Sequence, residues 1–384
     1  MNTYKIGIIG YGGFGKFLHN AWKSLPSVEI KAIADTDENQ NPGTPITFYN
    51  NWRDLINDPA IDIVSVVTPP RTHAEIACAA LDAGKNVLVE KPLAVTIREA
   101  KKIIAARDRS GKIAAIDFMQ RFNPIVEVLH QLGQKNVFGK LRRVDVENYA
   151  QDSSLSDDHW FWNPDIGGGI LVEHAVHFID IVHFLSNVQP KRVEGFTAST
   201  NILRENQVIA NVLYEDGMIA SHYHSFTRPG FFEDTSIRLS YDLAQIDLHG
   251  WIPLNGNIRV LVNSEIEKEL SKLPGFEVIR SQLIKEIKDV SRPEGWGSSD
   301  SSENGMTGTI RSGKTDYQVD KMITAKLDIG KSKAEVYQQS VRSVMTDLIK
   351  AIENSEHRLR TPLESGLLSL DVAIQATEAG RKKE

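Results

Sequence analysis

Two side chains in this sequence of 384 residues are suited to take the proton from an alcohol and hold the oxygen left behind. Lys91 stands in Glu90-Lys91-Pro92, a rigid turn, and a cation fixed there donates to a substrate oxygen and stabilises the negative charge developing on it. His177 lies in an apolar helix pattern from Gly169 to Leu185, four residues after Glu173. That spacing puts both on one helix face, with Asp180 one turn further along. Hydride leaves a carbinol carbon only as the hydroxyl proton is removed, which calls for a base with a pKa near the working pH, and imidazole meets that need. A carboxylate beside the ring would orient it and stabilise the imidazolium. Lys91, His177 and Glu173 are therefore the expected catalytic residues. Glu173, His174 and His177 are also metal-ligand types, but positions i, i+1 and i+4 do not converge on one point, so no metal is expected. His222 and His224 alternate on a strand pattern and share a sheet face, where they line a cleft or cap an interface.

A hydride needs an acceptor, and the amino end supplies the pattern for one. The apolar run Tyr4 to Ile9 leads into Gly10-Tyr11-Gly12-Gly13-Phe14-Gly15, a glycine-rich turn ahead of a helix pattern. Residues without a Cβ let the chain turn tightly and bring its N–H groups up to a dinucleotide's pyrophosphate. Twenty residues after Gly15, at the end of a second apolar strand, comes Asp35, placed to accept from the adenosine ribose hydroxyls. A carboxylate there repels a 2′-phosphate, and Thr36-Asp37-Glu38 offers no basic residue to neutralise one, so NAD is expected rather than NADP. Thr68-Pro69-Pro70, with His73 shortly after, and Glu90-Lys91 end the next two buried strands. Ligands of parallel sheets sit outside the carboxyl ends of the strands, so these loops should border the nicotinamide half. Gly10, Gly12, Gly13, Phe14, Gly15, Asp35, Thr68, Pro69, Pro70, His73, Glu90 and Lys91 are the expected cofactor contacts.

The elements that must position these residues alternate strand and helix through residue 122, the pattern of a parallel sheet covered on both faces. Strands are expected at Lys5 to Ile9, Glu29 to Ala34, Ile61 to Thr68, Asn86 to Val89 and Ile113 to Phe118. Thr96 followed by Glu99 reads as a capping box, and Gly84 and Gly111 as helix ends. Beyond residue 122 the pattern changes to longer strands of period two, such as Leu141 to Tyr149 and Met218 to Phe226, which read as antiparallel. The fold class expected is α/β: a Rossmann doubly wound parallel sheet over residues 1–122, and an α+β domain with a large, mostly antiparallel open sheet over 123–360. A carboxyl-terminal helix in 361–384 is expected to pack back on the first domain. The Gly- and Ser-rich stretch 293–315 reads as a surface excursion, a lid or disorder.

Composition sets outer limits. A hydrophobic fraction of 41%, a charged fraction of 24% and a net charge of −6 are globular values, and they argue against nucleic acid as a partner. The single Cys78 permits no disulfide within the chain. The first strand begins at residue 4, no apolar run approaches the roughly 20 residues of a membrane helix, and a cytoplasmic protein without a membrane partner is expected.

The glycine loop, Asp35, Thr68-Pro69-Pro70, Glu90-Lys91-Pro92 and Gly167-Gly-Gly-Ile-Leu-Val-Glu-His-Ala-Val-His-Phe-Ile-Asp180 together resemble the glucose-fructose oxidoreductase, inositol dehydrogenase and MocA-like (Gfo/Idh/MocA) oxidoreductase family. The resemblance covers most of the chain and is strongest through residue 185. It implies an NAD(P)-dependent enzyme acting on sugars or cyclitols, and a homodimer or homotetramer formed through the second-domain sheet. It also implies that Lys91 touches the substrate and that His177 takes the hydroxyl proton. The chain departs from the family pattern at Glu173, where Asp is usual, and at His174, where a small or apolar residue is common.

A third group precedes the catalytic helix: Tyr149, Asp152, His159, Trp160, Trp162 and Asn163. Sugars lay C–H faces on aromatic rings, so the two tryptophans read either as a carbohydrate platform or as core. With Arg121, Asn123 and His174, the residues Tyr149, His159, Trp160 and Trp162 make up the expected substrate contacts. The function expected is hydride transfer between a sugar or cyclitol hydroxyl carbon and NAD. The alternative is a glycosidase using NAD transiently, by oxidation, elimination, hydration and re-reduction. A non-catalytic NAD sensor is a third reading, which the retention of both Lys91 and His177 argues against.

Overall fold

A computed structural model describes residues 2–151, 155–200, 204–284 and 308–381. In the first part, β1 (Tyr4–Ile9), α1 (Gly13–Trp22), β2 (Val28–Ala34), β3 (Thr47–Tyr49), α2 (Trp52–Asn57), β4 (Ile63–Val66), α3 (His73–Asp82), β5 (Asn86–Val89), α4 (Ile97–Ser110) and β6 (Ala114–Ile116) follow one another. The six strands form one parallel sheet in the order β3-β2-β1-β4-β5-β6. Its strands are apolar on both faces because helices cover both, as the alternation of elements requires. The order in which strands are added to the sheet reverses between β1 and β4, beside the glycine loop, which puts a crevice at the carboxyl ends of the central strands.

The second part opens with α5 (Pro124–Gln134) and β7 (Leu141–Tyr149), then a single turn α6 (Pro164–Gly167), a π-helical segment Leu171–Ala175 and α7 (Val176–Ser186). There follow β8 (Pro190–Ala198), β9 (Gln207–Tyr214), β10 (Ile219–Ser225), β11 (Asp234–Tyr241), β12 (Ala244–His249), β13 (Asn255–Val262), α8 (Ser264–Leu270), β14 (Glu277–Leu283), a hairpin β15 (Thr309–Ser312) and β16 (Thr315–Gln318), and β17 (Lys321–Asp328). Nine of these strands make the large sheet, in the order β14-β17-β13-β12-β11-β7-β10-β9-β8. It is antiparallel except at one place: β7 and β10, both expected antiparallel, pair in parallel, Val146 opposite His222. The chain reaches β10 by way of α7 and a β8–β9 edge, a long connection that returns it in the same direction. Asp152 and residues 293–307 lie outside the described residues; 308–315 enter the small hairpin.

The last two helices sew the parts together. On α9 (Lys333–Glu353), Val336, Val341, Val344 and Leu348 pack with Ile6, Ile8 and Trp22 on one face of the first sheet, and the Trp22 indole donates to the Val341 carbonyl at 3.0 Å. The final helix, α10 (Leu363–Arg381), lies on β8, α7 and β9 and reaches α4 and β6. It comes close enough that a Cβ on Gly195 of β8 would overlap the Ala376 carbonyl. Gly195→Ala is accordingly expected to lower stability by about 1–3 kcal/mol, seen as an earlier urea midpoint, since the backbone carbonyl cannot swing aside. An unchanged midpoint would mean that α10 is not docked as described.

Pro164–Ser186 is, by length and composition, long and apolar enough to cross a membrane, which the reading of the sequence had not recognised. Its most apolar stretch is 78% buried inside the protein, with Phe178, Ile181 and Val182 fully covered. A helix apolar on every side is buried, and here sheet and helices do the covering.

Candidate active site

Two cavities adjoin at the carboxyl ends of the first sheet. One, of about 360 Å³, runs from the glycine loop past Asp35, Asn50 and Trp52 to Thr68 and Pro69. The other, of about 280 Å³, holds Lys91, Glu173 and His177 with Glu90, Asp117, Trp251 and Tyr337. Phe14, Val67, Thr68 and Trp160 line both, so they share a wall. A larger groove of about 560 Å³ between α4, α7 and α10 carries Arg121 and His183, and neither the glycine loop nor Lys91 lines it.

The glycine loop has two kinds of glycine. Gly10 has φ +92°, and a Cβ on it would stand 2.6 Å from the Val67 carbonyl; a Cβ on Gly15 would overlap Gly10's own carbonyl oxygen. Those two close the turn onto the sheet. Beside Gly12 and Gly13, by contrast, there is open space on the cavity side. Gly12 caps α1, whose first N–H groups have no partner within the helix and no acidic side chain in the first turn, so the helix start faces that space with its positive end. Asp35 is held by N–H groups of Tyr11 (2.6 Å) and Asp37 (3.0 Å), which aim the carboxylate into the same cleft. These residues fit a dinucleotide: room and donors for a pyrophosphate, then an acceptor for a ribose.

In the inner chamber the Lys91 ammonium donates to Glu173 Oε1 at 2.6 Å and to the Glu173 carbonyl at 2.8 Å. Glu173 therefore serves Lys91, and its expected role of orienting His177 finds no hydrogen bond in the structure. The reason is local. Leu171–Ala175 is π-helical, and a turn widened to roughly 4.4 residues rotates Glu173 away from the face that the 3.6-residue period assigns it. His177 is 4% exposed, caged edge-on by Trp251 (5.2 Å) and Phe118 (6.2 Å), with Nδ1 unpartnered. Burial first, then the charge of Lys91, holds its pKa well below the ordinary histidine value, so the ring is neutral at pH 7 and able to accept a proton.

Several residues expected in the site are engaged elsewhere. Arg121 makes a buried two-pronged ion pair with Asp180 (2.7 and 2.6 Å) and donates to the Arg360 carbonyl. Asn123 caps α5, accepting from Ile125 and Val126, and donates to the Pro253 carbonyl. Tyr149 stands on the outer face of the large sheet under Arg228, opposite in parity to the inward Asn148. His174 Nε2 donates to Asn148 Oδ1 (2.9 Å), and the ring packs on Phe178, His224 and Phe226, on the sheet side of the helix. His159 caps the turn Trp160–Trp162, and Trp162 packs against Phe226 and under Arg204. Of that aromatic group, Trp160 lines both cavities.

His73, expected at the cofactor, is fully buried between the two loops that do border the chamber: its ring nitrogens lie 2.8 Å from the carbonyls of Thr68 and Pro92. Burial lowers its pKa while the two carbonyls oppose that shift, and the ring pins Thr68-Pro69-Pro70 to Glu90-Lys91-Pro92. His222 and His224 point into the interface of the sheet with α7 and line neither cavity. The sequence reading missed Asn50, Trp52, Asp117, Met119, Trp251 and Tyr337. Asp117 had a usable signal, since it ends the sixth strand as Glu90 ends the fifth; Trp251 and Tyr337 arrive from remote elements.

Residues 4–118 match the model of the "oxidoreductase family, NAD-binding Rossmann fold", and residues 126–243 match the Gfo/Idh/MocA carboxyl-terminal domain. The chain belongs to the Gfo/Idh/MocA family. Its α/β architecture, a parallel Rossmann sheet beside a large, mostly antiparallel one, is that family's, and the glycine-loop domain is its NAD-binding domain. Among relatives, an inositol 2-dehydrogenase/D-chiro-inositol 3-dehydrogenase of Lactiplantibacillus plantarum is 30% identical over 201 residues, 50% of this chain and 55% of the relative. A levoglucosan dehydrogenase of Pseudarthrobacter phenanthrenivorans is 28% identical over 201 residues, 48% and 52% of the two chains. The chain thus spans about half the length of the curated relatives it matches. A solved levoglucosan dehydrogenase in complex with NADH shares the fold, with a TM-score of 0.74 and 18% identity over 100% of this chain and 98% of that one.

Proposed function

We propose that this member of the Gfo/Idh/MocA family is an NAD-dependent dehydrogenase that moves hydride between a carbinol carbon of a sugar or cyclitol and the nicotinamide. One observation carries the reading: a cation and a neutral base, Lys91 and His177, line a chamber that shares a wall with the glycine-loop cleft. NAD, held along Gly10–Gly15 and Asp35, supplies the hydride acceptor. Lys91, steadied by Glu173, polarises the substrate oxygen, His177 receives its proton, and Trp160 and Trp251 offer ring faces to the sugar's C–H groups. The inositol and levoglucosan dehydrogenases among its relatives are of the same class.

The test mixes purified protein and NAD with free sugars, inositols and aryl glycosides while following nicotinamide absorbance and aglycone release. Steady NADH growth with a free polyol or sugar is expected; silence with every polyol and sugar while the protein binds NAD would overturn the reading. A second reading, redox-neutral glycoside cleavage, is favoured by two further carboxyls in the chamber, Glu90 and Asp117, and predicts NAD-dependent aglycone release without NADH accumulation.

Cofactor choice has its own test. Like charges in contact cost several kcal/mol, so Asp35→Ser should cut the preference for NAD over NADP, as a ratio of kcat/KM, by roughly tenfold or more. An unchanged ratio would remove Asp35 from that role. The open face of the large sheet supports an oligomer: Phe196, Ile209 and Tyr223 stand in one cross-strand row, and Phe196 is 53% exposed. Light scattering should report a dimer or tetramer, and Phe196→Glu should shift it toward monomer.

A further inference from the structure

Glu90 ends β5 and Asp117 follows β6, the neighbouring strand. The sheet register sets them side by side, with the Asp117 N–H donating to the Val89 carbonyl at 2.8 Å. The side chains are buried, with 8% and 1% of each residue exposed, and both line the chamber of Lys91 and His177. They lie within hydrogen-bond reach of each other. Among the described residues, no donor reaches Glu90 Oε1 or either oxygen of Asp117, and Glu90 Oε2 has only the Lys91 N–H at 3.3 Å. The cation facing them, Lys91, is bound to Glu173, while Tyr337 from α9 and the neutral His177 bring no positive charge. Burial, then the charge of Asp117, pushes Glu90 well above the usual carboxyl range, and burial pushes Asp117 up to about 6. Two carboxylates this close in so dry a place cannot both ionise, so the pair holds one proton near neutral pH.

We propose that Glu90 and Asp117 pass this shared proton to and from the substrate, forming a second proton-transfer centre in the chamber beside His177. The proposal rests on the reading that Lys91 and His177 hold a sugar or cyclitol oxygen. Once that carbon is a ketone, the C–H on the adjacent carbon is acidic. The ionised carboxylate takes this proton, the C–H electron pair becomes the C=C bond of an enolate, and the Lys91 ammonium stabilises the enolate oxygen. The carboxyl then returns a proton to the same carbon. Nothing is oxidised or reduced in this step, and its net result is exchange of that hydrogen with water. Where the next carbon carries an alkoxy group, the enolate expels it, the carboxyl proton going to the departing oxygen, which leaves an enone and an alcohol.

The test uses protein loaded with oxidised NAD, which cannot reduce a ketone, and inosose, the ketone of myo-inositol, in D2O. Deuterium should appear next to the carbonyl by NMR well above the protein-free rate. That rate should fall about 100-fold in Asp117→Asn and in Glu90→Gln, each checked for folding by its thermal melt. The shared proton is read separately by infrared spectroscopy of the wild type: a protonated carboxyl band should persist above about pH 5.5, where ordinary carboxyls are ionised. Exchange that survives in both variants, or absence of that band, overturns the proposal. A wild type that reduces inosose with NADH yet exchanges nothing overturns it too, leaving the dehydrogenase standing. A wild type that does neither overturns the cyclitol reading, and the infrared band then decides the pair.

Discussion

His177→Ala is expected to lower kcat by about a thousandfold while leaving the affinity for NAD unchanged. The first half follows from what the ring does. A positioned base contributes roughly 10²–10⁴ to proton transfer, and hydride departure waits on that proton. His177 is neutral at pH 7 because burial and Lys91 disfavour its cation, and the aromatic cage of Trp251 and Phe118 fixes the ring. The second half follows from position: the ring lines the inner chamber and none of the glycine-loop cleft. Steady-state kinetics and a fluorescence titration with NAD read the two quantities separately. Because a depressed pKa keeps the base neutral into acid, kcat/KM of the wild type should stay level as pH falls through 6.5. A variant with kcat within a few-fold of the wild type would exclude His177 as the base.

Acid should unfold this protein early. His174, His222 and His224 are buried where the large sheet meets the helical segment 171–186, His177 and His183 are buried on α7 itself, and burial depresses the pKa of each, to about 4 for His174 and His222 and about 3 for His183. Each binds a proton more readily when unfolded. Below the unfolded value near 6.5 the unfolded chain therefore gains protons that the native state refuses, and stability falls with pH until the folded value is reached. For His222, with neither ring nitrogen partnered, the loss between pH 7 and pH 5 is about 2 kcal/mol. Glu90 and Asp117, raised rather than lowered, oppose the trend, since the native pair gains stability as the pH drops toward 4; two such groups are outnumbered by five histidines. Urea unfolding at pH 7 and pH 5 should show a fall of several kcal/mol, and His222→Leu should flatten it by about 2 kcal/mol. An equal slope in the variant would show that His222 is not neutral in the folded state.

Much of this was legible in the chain because it is local. The glycine loop, Asp35 and the Glu90-Lys91-Pro92 turn are strand-end features whose geometry is set within a few residues, and the Rossmann alternation follows from apolar periodicity. Strands β5 and β7 have the limits their patterns indicate, and Thr96 caps α4, its hydroxyl accepting from the Glu99 N–H. Even Tyr149's outward position is written in the parity of its strand, though it was read as a substrate contact for its aromatic ring.

What side chains choose as partners across the fold was decided elsewhere. The spacing of Glu173 and His177 reads as one helix face, but a π turn breaks the period, and Glu173 finds Lys91, 82 residues earlier. Arg121 and Asp180 satisfy each other in the interior, because a buried charge without a partner is too costly to leave free for a ligand. Asp117, Trp251 and Tyr337 enter the chamber only once β6, the β12–β13 turn and α9 have converged on it. The sequence by itself determined the dinucleotide loop, the strand-end turn that carries Lys91 and the two kinds of sheet, since short-range sterics and periodicity suffice for those. Tertiary structure alone decided which charges meet, because the cost of burying a charge is settled by whatever the folded chain brings within hydrogen-bond distance.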